Sequence, residues 1–186
     1  IISFLGIPKL KKIKIKQIIR EEGPKNHITK QGTPTMGGIF IIPIGIIISN
    51  IIYFNKDDYK IILTLSFLII SFMLIGLFDD LISLKKKINT GLTPNQKLFF
   101  QFLISLIFIT YCSLNNFIPT NIQIADKTIN VGNFIYPLGV FVLLAESNST
   151  NLTDGLDGLL SGCSVLILTG LSITILATNQ TNTENL

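Results

Sequence analysis

The chain has 186 residues, 48% of them apolar and only 14% charged, with a net charge of +4. This balance, with a positive mean hydropathy, excludes an ordinary soluble domain and describes a polytopic membrane protein. The surplus of positive charge invites a nucleic-acid reading, but its placement along the chain fits membrane topology better, and no nucleic-acid partner is expected.

Residues 1–8 are apolar but too short to span a bilayer. No signal peptide is visible, and the opening on Ile1 rather than Met reads as an internal piece of a longer protein. Residues 9–30 hold eight of the 15 basic residues. Between 10 and 20, apolar and basic residues alternate, as in an interfacial segment lying on anionic lipid. Five apolar segments follow, over about 36–54, 59–78, 98–114, 131–145 and 159–178. A spanning helix needs about 20 residues, so the expected fold class is all-α, a polytopic integral membrane protein with about five transmembrane helices in one membrane domain over 1–186. The fourth segment is short and contains Pro137 and Gly139, a break that buried neighbours tolerate. Cys112 and Cys163 fall in different helices at depths differing by roughly 15 Å. A disulfide needs Cα atoms within about 7 Å, so both are expected to be free thiols.

Basic residues set the sidedness. Besides the eight near the start, Lys85, Lys86, Lys87 and Lys97 lie between the second and third segments, and only Lys56, Lys60 and Lys127 adjoin the alternate loops. The bias puts the N-terminal segment and the regions 79–97 and 146–158 in the cytoplasm. The three stretches richest in polar chemistry, 23–38, 79–97 and 146–158, thereby share one face, which supports a composite cytoplasmic site.

The last of these reads ESNSTNLTDGLDGLL. Asn148, Asn151, Asp154 and Asp157 recur every three residues, which on a helix makes a drifting polar stripe. Gly155 and Gly158 weaken a long helix there, so a loop that turns into a helix start fits equally well. Ionisable groups at the edge of a membrane segment are costly and mark a substrate or ion path. The plain alternative is a polar inter-helix loop. Asn148 and Asn151 also match glycosylation sequons, which would go unused on the cytoplasmic side.

Asp79 and Asp80 follow Gly76, Leu77 and Phe78 at the expected inner end of the second helix. Adjacent carboxylates repel unless a cation offsets them. Mg²⁺ with phosphate ligands is the usual remedy, since it takes one or two carboxylates plus substrate oxygens. The alternative is a solvated pair at a helix end, where the dipole disfavours it. GPKNHITKQGTPTMGG, residues 23–38, offers Lys30 and its Gly and Thr groups to an anion, or Thr33 or Thr35 as a helix cap. His27, the only His, suits a solvated loop better than a catalytic role. GLTPNQKLFFQ, residues 91–101, puts Pro94 near a helix start and Lys97 and Gln101 on one face. Lys97 can meet a phosphate there or simply snorkel.

GPKNHITKQGTPTMGG, GLFDD, GLTPNQKLFFQ and NSTNLTDGLDGL, in that order and spacing, resemble the phospho-N-acetylmuramoyl-pentapeptide transferase family. That family is translocase I of peptidoglycan synthesis, within the polyprenyl-phosphate hexose-1-phosphate transferases. The resemblance covers nearly the whole chain. HxxKxGTPTMGG separates this family from relatives that transfer N-acetylglucosamine phosphate, and the ESNST run is similar to cyanobacterial and plastid-lineage members.

The resemblance implies transfer of phospho-MurNAc-pentapeptide from UDP-MurNAc-pentapeptide to undecaprenyl phosphate, with Mg²⁺ as cofactor and lipid I and UMP as products. It implies a multi-pass protein of the bacterial cytoplasmic membrane or a plastid membrane, in contact with the lipid bilayer, with a homodimer as a further expectation. Asp79 and Asp80 match the family's catalytic acidic pair, and Lys97 a lysine near the phosphates. Lys30, Thr35, Asn148, Asn151, Asp154, Gly155, Leu156 and Asp157 are the substrate-binding candidates on the nucleoside side. Ser83 stands where many members carry a lysine. The family's Mg²⁺-ligand motif and its His-rich loop are expected beyond Leu186, so the metal ligand is unassigned within this chain, and activity is not expected of this piece alone. Two other readings stay open: transfer of another UDP-sugar phosphate to a polyprenyl phosphate, and a cation-coupled transporter, which inverted repeats would support.

Overall fold

The computed structural model describes residues 36–86, 91–124, 127–154 and 158–183. Its elements are α1 (Gly38–Tyr53), α2 (Tyr59–Lys86), α3 (Pro94–Leu114), β1 (Asn121–Ile124), β2 (Lys127–Asn130), a 3-10 turn (Gly132–Phe134), α4 (Ile135–Thr153) and α5 (Leu159–Thr183). The chain divides into two compact units, Ile1–Val140 and Phe141–Leu186.

Three helical stretches among the described residues are long and apolar enough to cross a membrane: Tyr59–Lys86, Pro94–Leu114 and Leu159–Ala177. The all-α membrane class holds, whereas the count of five is looser. α1 has 16 residues, short of a full span by length. Its Pro43 has no N–H to give the Ile39 carbonyl one turn back. α4 is apolar only over its first half, before Glu146.

In the first unit α1, α2 and α3 pack in sequence, α1 on α2 and α2 on α3. A polar bond ties α1 to α2: Asn50 Nδ2 donates to Ser66 Oγ at 2.8 Å, and Ser66 donates to the Ile62 carbonyl at 2.7 Å. Between membrane helices such a bond contributes about 0.6 kcal/mol. The buried face of α3 carries Gln101, Ser105, Phe108, Ile109 and Cys112. Gly139 of α4 lies directly against it, since a Cβ there would come within 2.6 Å of Ile109 Cδ1. Pro137 falls in the first turn of α4, where a missing N–H costs nothing, and Tyr136 OH meets Ser113 Oγ at 3.1 Å. The two residues that made the fourth segment look broken are therefore a helix-start residue and a close-packing contact.

α3 ends in a Schellman motif. Asn116 takes φ +57°, Phe117 N–H reaches the Cys112 carbonyl at 2.8 Å, and Asn116 N–H that of Ser113 at 3.1 Å. Asn tolerates this left-handed position. The following loop contains an antiparallel hairpin, Asn121 pairing with Asn130 and Ile124 with Lys127. In the second unit, large apolar side chains of α5 such as Leu166 and Leu176 are exposed, as lipid-facing residues are. Cys112 and Cys163 are free thiols, as their separate helices required.

Candidate active site

α2 does not stop with its apolar run. It continues past Phe78 through Asp79 and Asp80 to Lys86. The acidic pair therefore sits on the side of a continuous helix, and the expectation that it lies at the helix end is corrected. The cause is physical: loss of apolar character marks where lipid ends, not where helical hydrogen bonding ends. Lys85 and Lys86 occupy the last turn, where cations complement the helix dipole.

Opposite the pair, residues 91–93 lead into α3. Thr93 is an extended N-cap, Pro94 is the first helical residue, and Gln96 completes a capping box. Gln96 N–H donates to Thr93 Oγ1 at 3.3 Å, and Thr93 N–H to Gln96 Oε1 at 3.1 Å. Such a cap is worth about 1 kcal/mol. It begins α3 one turn before the apolar run at Leu98, and so places Lys97 in the first full turn.

Asp79 joins the two helices. Its Oδ1 accepts the Leu92 N–H at 2.8 Å, and its Oδ2 lies 3.5 Å from Lys97 Nζ. The side chains are 29% and 21% exposed, so the ion pair keeps partial contact with solvent and stabilises the fold only modestly. Gly91 lies so close that a Cβ would strike the Asp79 carbonyl oxygen and Oδ1. Asp80 is half-buried, and both Asp79 and Lys97 act on it through their charge. The geometry thus gathers two carboxylates and one ammonium where α2 meets the start of α3.

In the second unit, Asn148 and Asn151 lie on the last turns of α4, and Asp154 directly follows. Of the two forms the sequence left open for this stretch, the helix holds through Thr153. Asn148 Nδ2 donates to the Leu144 carbonyl at 2.8 Å, and Asn151 and Asp154 are exposed. Lys30, Thr35, Gly155, Leu156 and Asp157, with His27, lie outside the described residues. Among the described residues no group of three or more His, Cys, Asp or Glu side chains gathers to hold a metal.

Sequence reasoning gave no role to Gly91 or to the Leu92 N–H. The signal was a Gly three residues before a helix-starting Pro, a spacing that says the turn is tight but not what it turns against.

Long apolar helices, packed in sequence and bearing a charged cluster where two of them meet, define a multi-pass membrane protein. The chain belongs to glycosyl transferase family 4, whose model matches residues 62–185. Residues 30–42 match the phospho-N-acetylmuramoyl-pentapeptide-transferase signature 1. Similar proteins include the phospho-N-acetylmuramoyl-pentapeptide-transferase of Prochlorococcus marinus strain NATL2A, 74% identical over 186 residues, which are 100% of this chain and 50% of that protein. The protein of the same name in Prochlorococcus marinus strain MIT 9313 is 47% identical over 177 residues, 95% of this chain and 48% of the relative. That of Synechococcus sp. strain CC9311 is 44% identical over 174 residues, 93% of this chain and 47% of the relative. The chain thus spans about half the length of the curated relatives it matches.

Proposed function

We propose that the full-length protein transfers phospho-MurNAc-pentapeptide from UDP-MurNAc-pentapeptide to undecaprenyl phosphate in the bacterial cytoplasmic membrane, giving lipid I and UMP. The relatives' shared name supports the substrates. The observation that carries the reading is the cluster of Asp79, Asp80 and Lys97 at the junction of two membrane helices. A phosphate carried on a polyprenyl chain can reach a charged group only where a membrane helix emerges from lipid.

In the reaction, an oxygen of the acceptor phosphate attacks the sugar-bearing phosphorus of the donor. A new P–O bond forms the lipid diphosphate, the P–O bond to UMP breaks, and UMP leaves with the electron pair. Phosphoryl transfer asks mainly for positioning and charge neutralisation. Lys97 supplies positive charge for the phosphate oxygens. Asp79 and Asp80 orient the acceptor, and one of the pair takes its proton when the phosphate arrives protonated. Mg²⁺ fits the donor set present, because it binds through one or two carboxylates together with phosphate oxygens and water. Its protein ligand stays unassigned within this chain, and when bound it would neutralise phosphate charge. Lys30, Thr35, Asn148, Asn151, Asp154, Gly155, Leu156 and Asp157 are proposed to contact the nucleoside and sugar. The further proposals are one membrane domain over 1–186, a homodimer, and basic segments that meet anionic lipid rather than nucleic acid.

The test supplies the full-length protein, in vesicles, with undecaprenyl phosphate and Mg²⁺. Labelled UDP-MurNAc-pentapeptide should yield lipid-extractable label and equimolar UMP. Label entering the lipid only from another UDP-sugar would move the protein to a different member of the same reaction class.

A further inference from the structure

Ser105 lies midway along α3, among the buried residues Gln101, Phe108, Ile109 and Cys112. It is 0% exposed and Gln101 2%. Among the described residues, Ser105 Oγ is the one buried side-chain oxygen or nitrogen without a hydrogen-bond partner. Other helical hydroxyls in this chain take a local solution and donate to the carbonyl four residues back. Thr64 donates to Lys60 at 2.8 Å, Ser66 to Ile62 at 2.7 Å, Ser71 to Phe67 at 2.8 Å and Ser164 to Leu160 at 2.8 Å. Ser105 does not make that bond. An unpaired hydroxyl in an apolar interior costs free energy, so the direction it takes calls for a partner. Its full burial keeps out lipid and any side chain from beyond the packed helices. A water molecule is small enough, provided two to four polar groups surround it.

Three groups meet that need. The Ser105 hydroxyl both donates and accepts. Gln101 stands one turn before it on the same helix face, and a Gln amide offers two donors and two acceptor lone pairs. The third group comes from α2. Asp79 pairs with Lys97 at one end of the two helices, and Leu63 and Tyr111 border one groove toward the other, so α2 and α3 run antiparallel. Ser71 lies as far along α2 from Asp79 as Ser105 lies along α3 from Lys97, about 12 Å in each case. Ser71 is half-buried, and it gives its proton to Phe67 but keeps its lone pairs.

We propose that α2 and α3 hold one internal water at this level, bound by Ser105 Oγ and the Gln101 amide and donating to Ser71 Oγ. The three partners are neutral, which suits water rather than an ion. The water ties the two helices a second time, inside the apolar layer and behind the Asp79–Lys97 pair. The helices that carry the charged cluster are thereby fixed at two levels, and a slip in their register would strand Ser105 again.

The experiment follows thermal unfolding of the full-length protein in detergent for Ser71→Ala, Ser105→Ala and the double variant. Each single change strips a partner from the water and should lower the unfolding temperature by about 2 °C. Both act through the same molecule, so the double variant should lose little more than either single one, well short of their sum. An unchanged or raised unfolding temperature in Ser105→Ala would show a hydroxyl that held nothing, and additive losses would show two separate local bonds. Either result overturns the proposal. An experimental structure sharp enough to show ordered water reads the site directly. It should place a water within about 3.2 Å of Ser105 Oγ. A Ser105 Oγ turned onto the Gln101 carbonyl, with no water beside it, would contradict the proposal.

Discussion

Two polar stretches adjoin membrane helices in this chain, and they are built in opposite ways. Where α2 meets α3, Asp79 bonds across 13 residues of sequence to Leu92 and faces Lys97 on the next helix. At the end of α4, Asn148 donates to Leu144, Ser149 to Glu146 and Thr153 to Ser149, each to a carbonyl about one turn back. The first stretch takes its geometry from tertiary packing, so a change on either helix disturbs it. In the second these three bonds lie within one helix, and a group held by such a bond can turn toward a ligand at the cost of a local contact. On the proposed function, a phosphate-handling end should be rigid, whereas a surface that recognises a base and a sugar can adapt as it binds.

The sharpest way to break this contrast is Asp80→Asn in the full-length protein. It keeps size and removes charge, and turnover should fall by about 100-fold or more with protein level unchanged. For the proposed nucleoside contacts, Asp157→Ala should raise the dissociation constant for the UDP-sugar, by about 1–3 kcal/mol of lost polar contact, and leave turnover at saturation nearly intact. Equilibrium binding checks it, and unchanged affinity would return that stretch to a plain inter-helix loop. Thr93→Ala removes the cap that sets the start of α3 and should cost about 1 kcal/mol of stability, read by thermal unfolding in detergent. The smallest effect is expected from Asn50→Leu, which removes the α1–α2 bond far from the charged cluster. It should cost about 0.6 kcal/mol and leave turnover unchanged.

Much of this architecture was legible in the sequence because lipid imposes a simple rule. Long apolar runs gave α2, α3 and α5 their places, and Pro94 announced the start of α3. Helix ends were harder to read. The apolar run of α2 stops at Phe78, but its backbone bonds continue to Lys86, since helical hydrogen bonding does not need an apolar run to sustain it. The hairpin at Asn121–Ile124 and Lys127–Asn130 was hidden by strands of four residues each, too short to show a period. The charged cluster was half legible. Asp79, Asp80 and Lys97 stood out by chemistry, whereas the parts played by Gly91 and the Leu92 N–H are backbone contacts that no side-chain pattern records.

The claim at the centre of this account is that the Asp79–Asp80 pair handles phosphate rather than merely ending a hydrophobic span. The direct measurement is lipid I synthesis by the full-length Asp79→Asn, Asp80→Asn double variant, purified at wild-type yield and assayed with undecaprenyl phosphate, UDP-MurNAc-pentapeptide and Mg²⁺. The account predicts loss of about 100-fold or more in turnover with the protein still folded. Synthesis at close to the wild-type rate would contradict it and leave the pair as solvated residues where a membrane helix meets water.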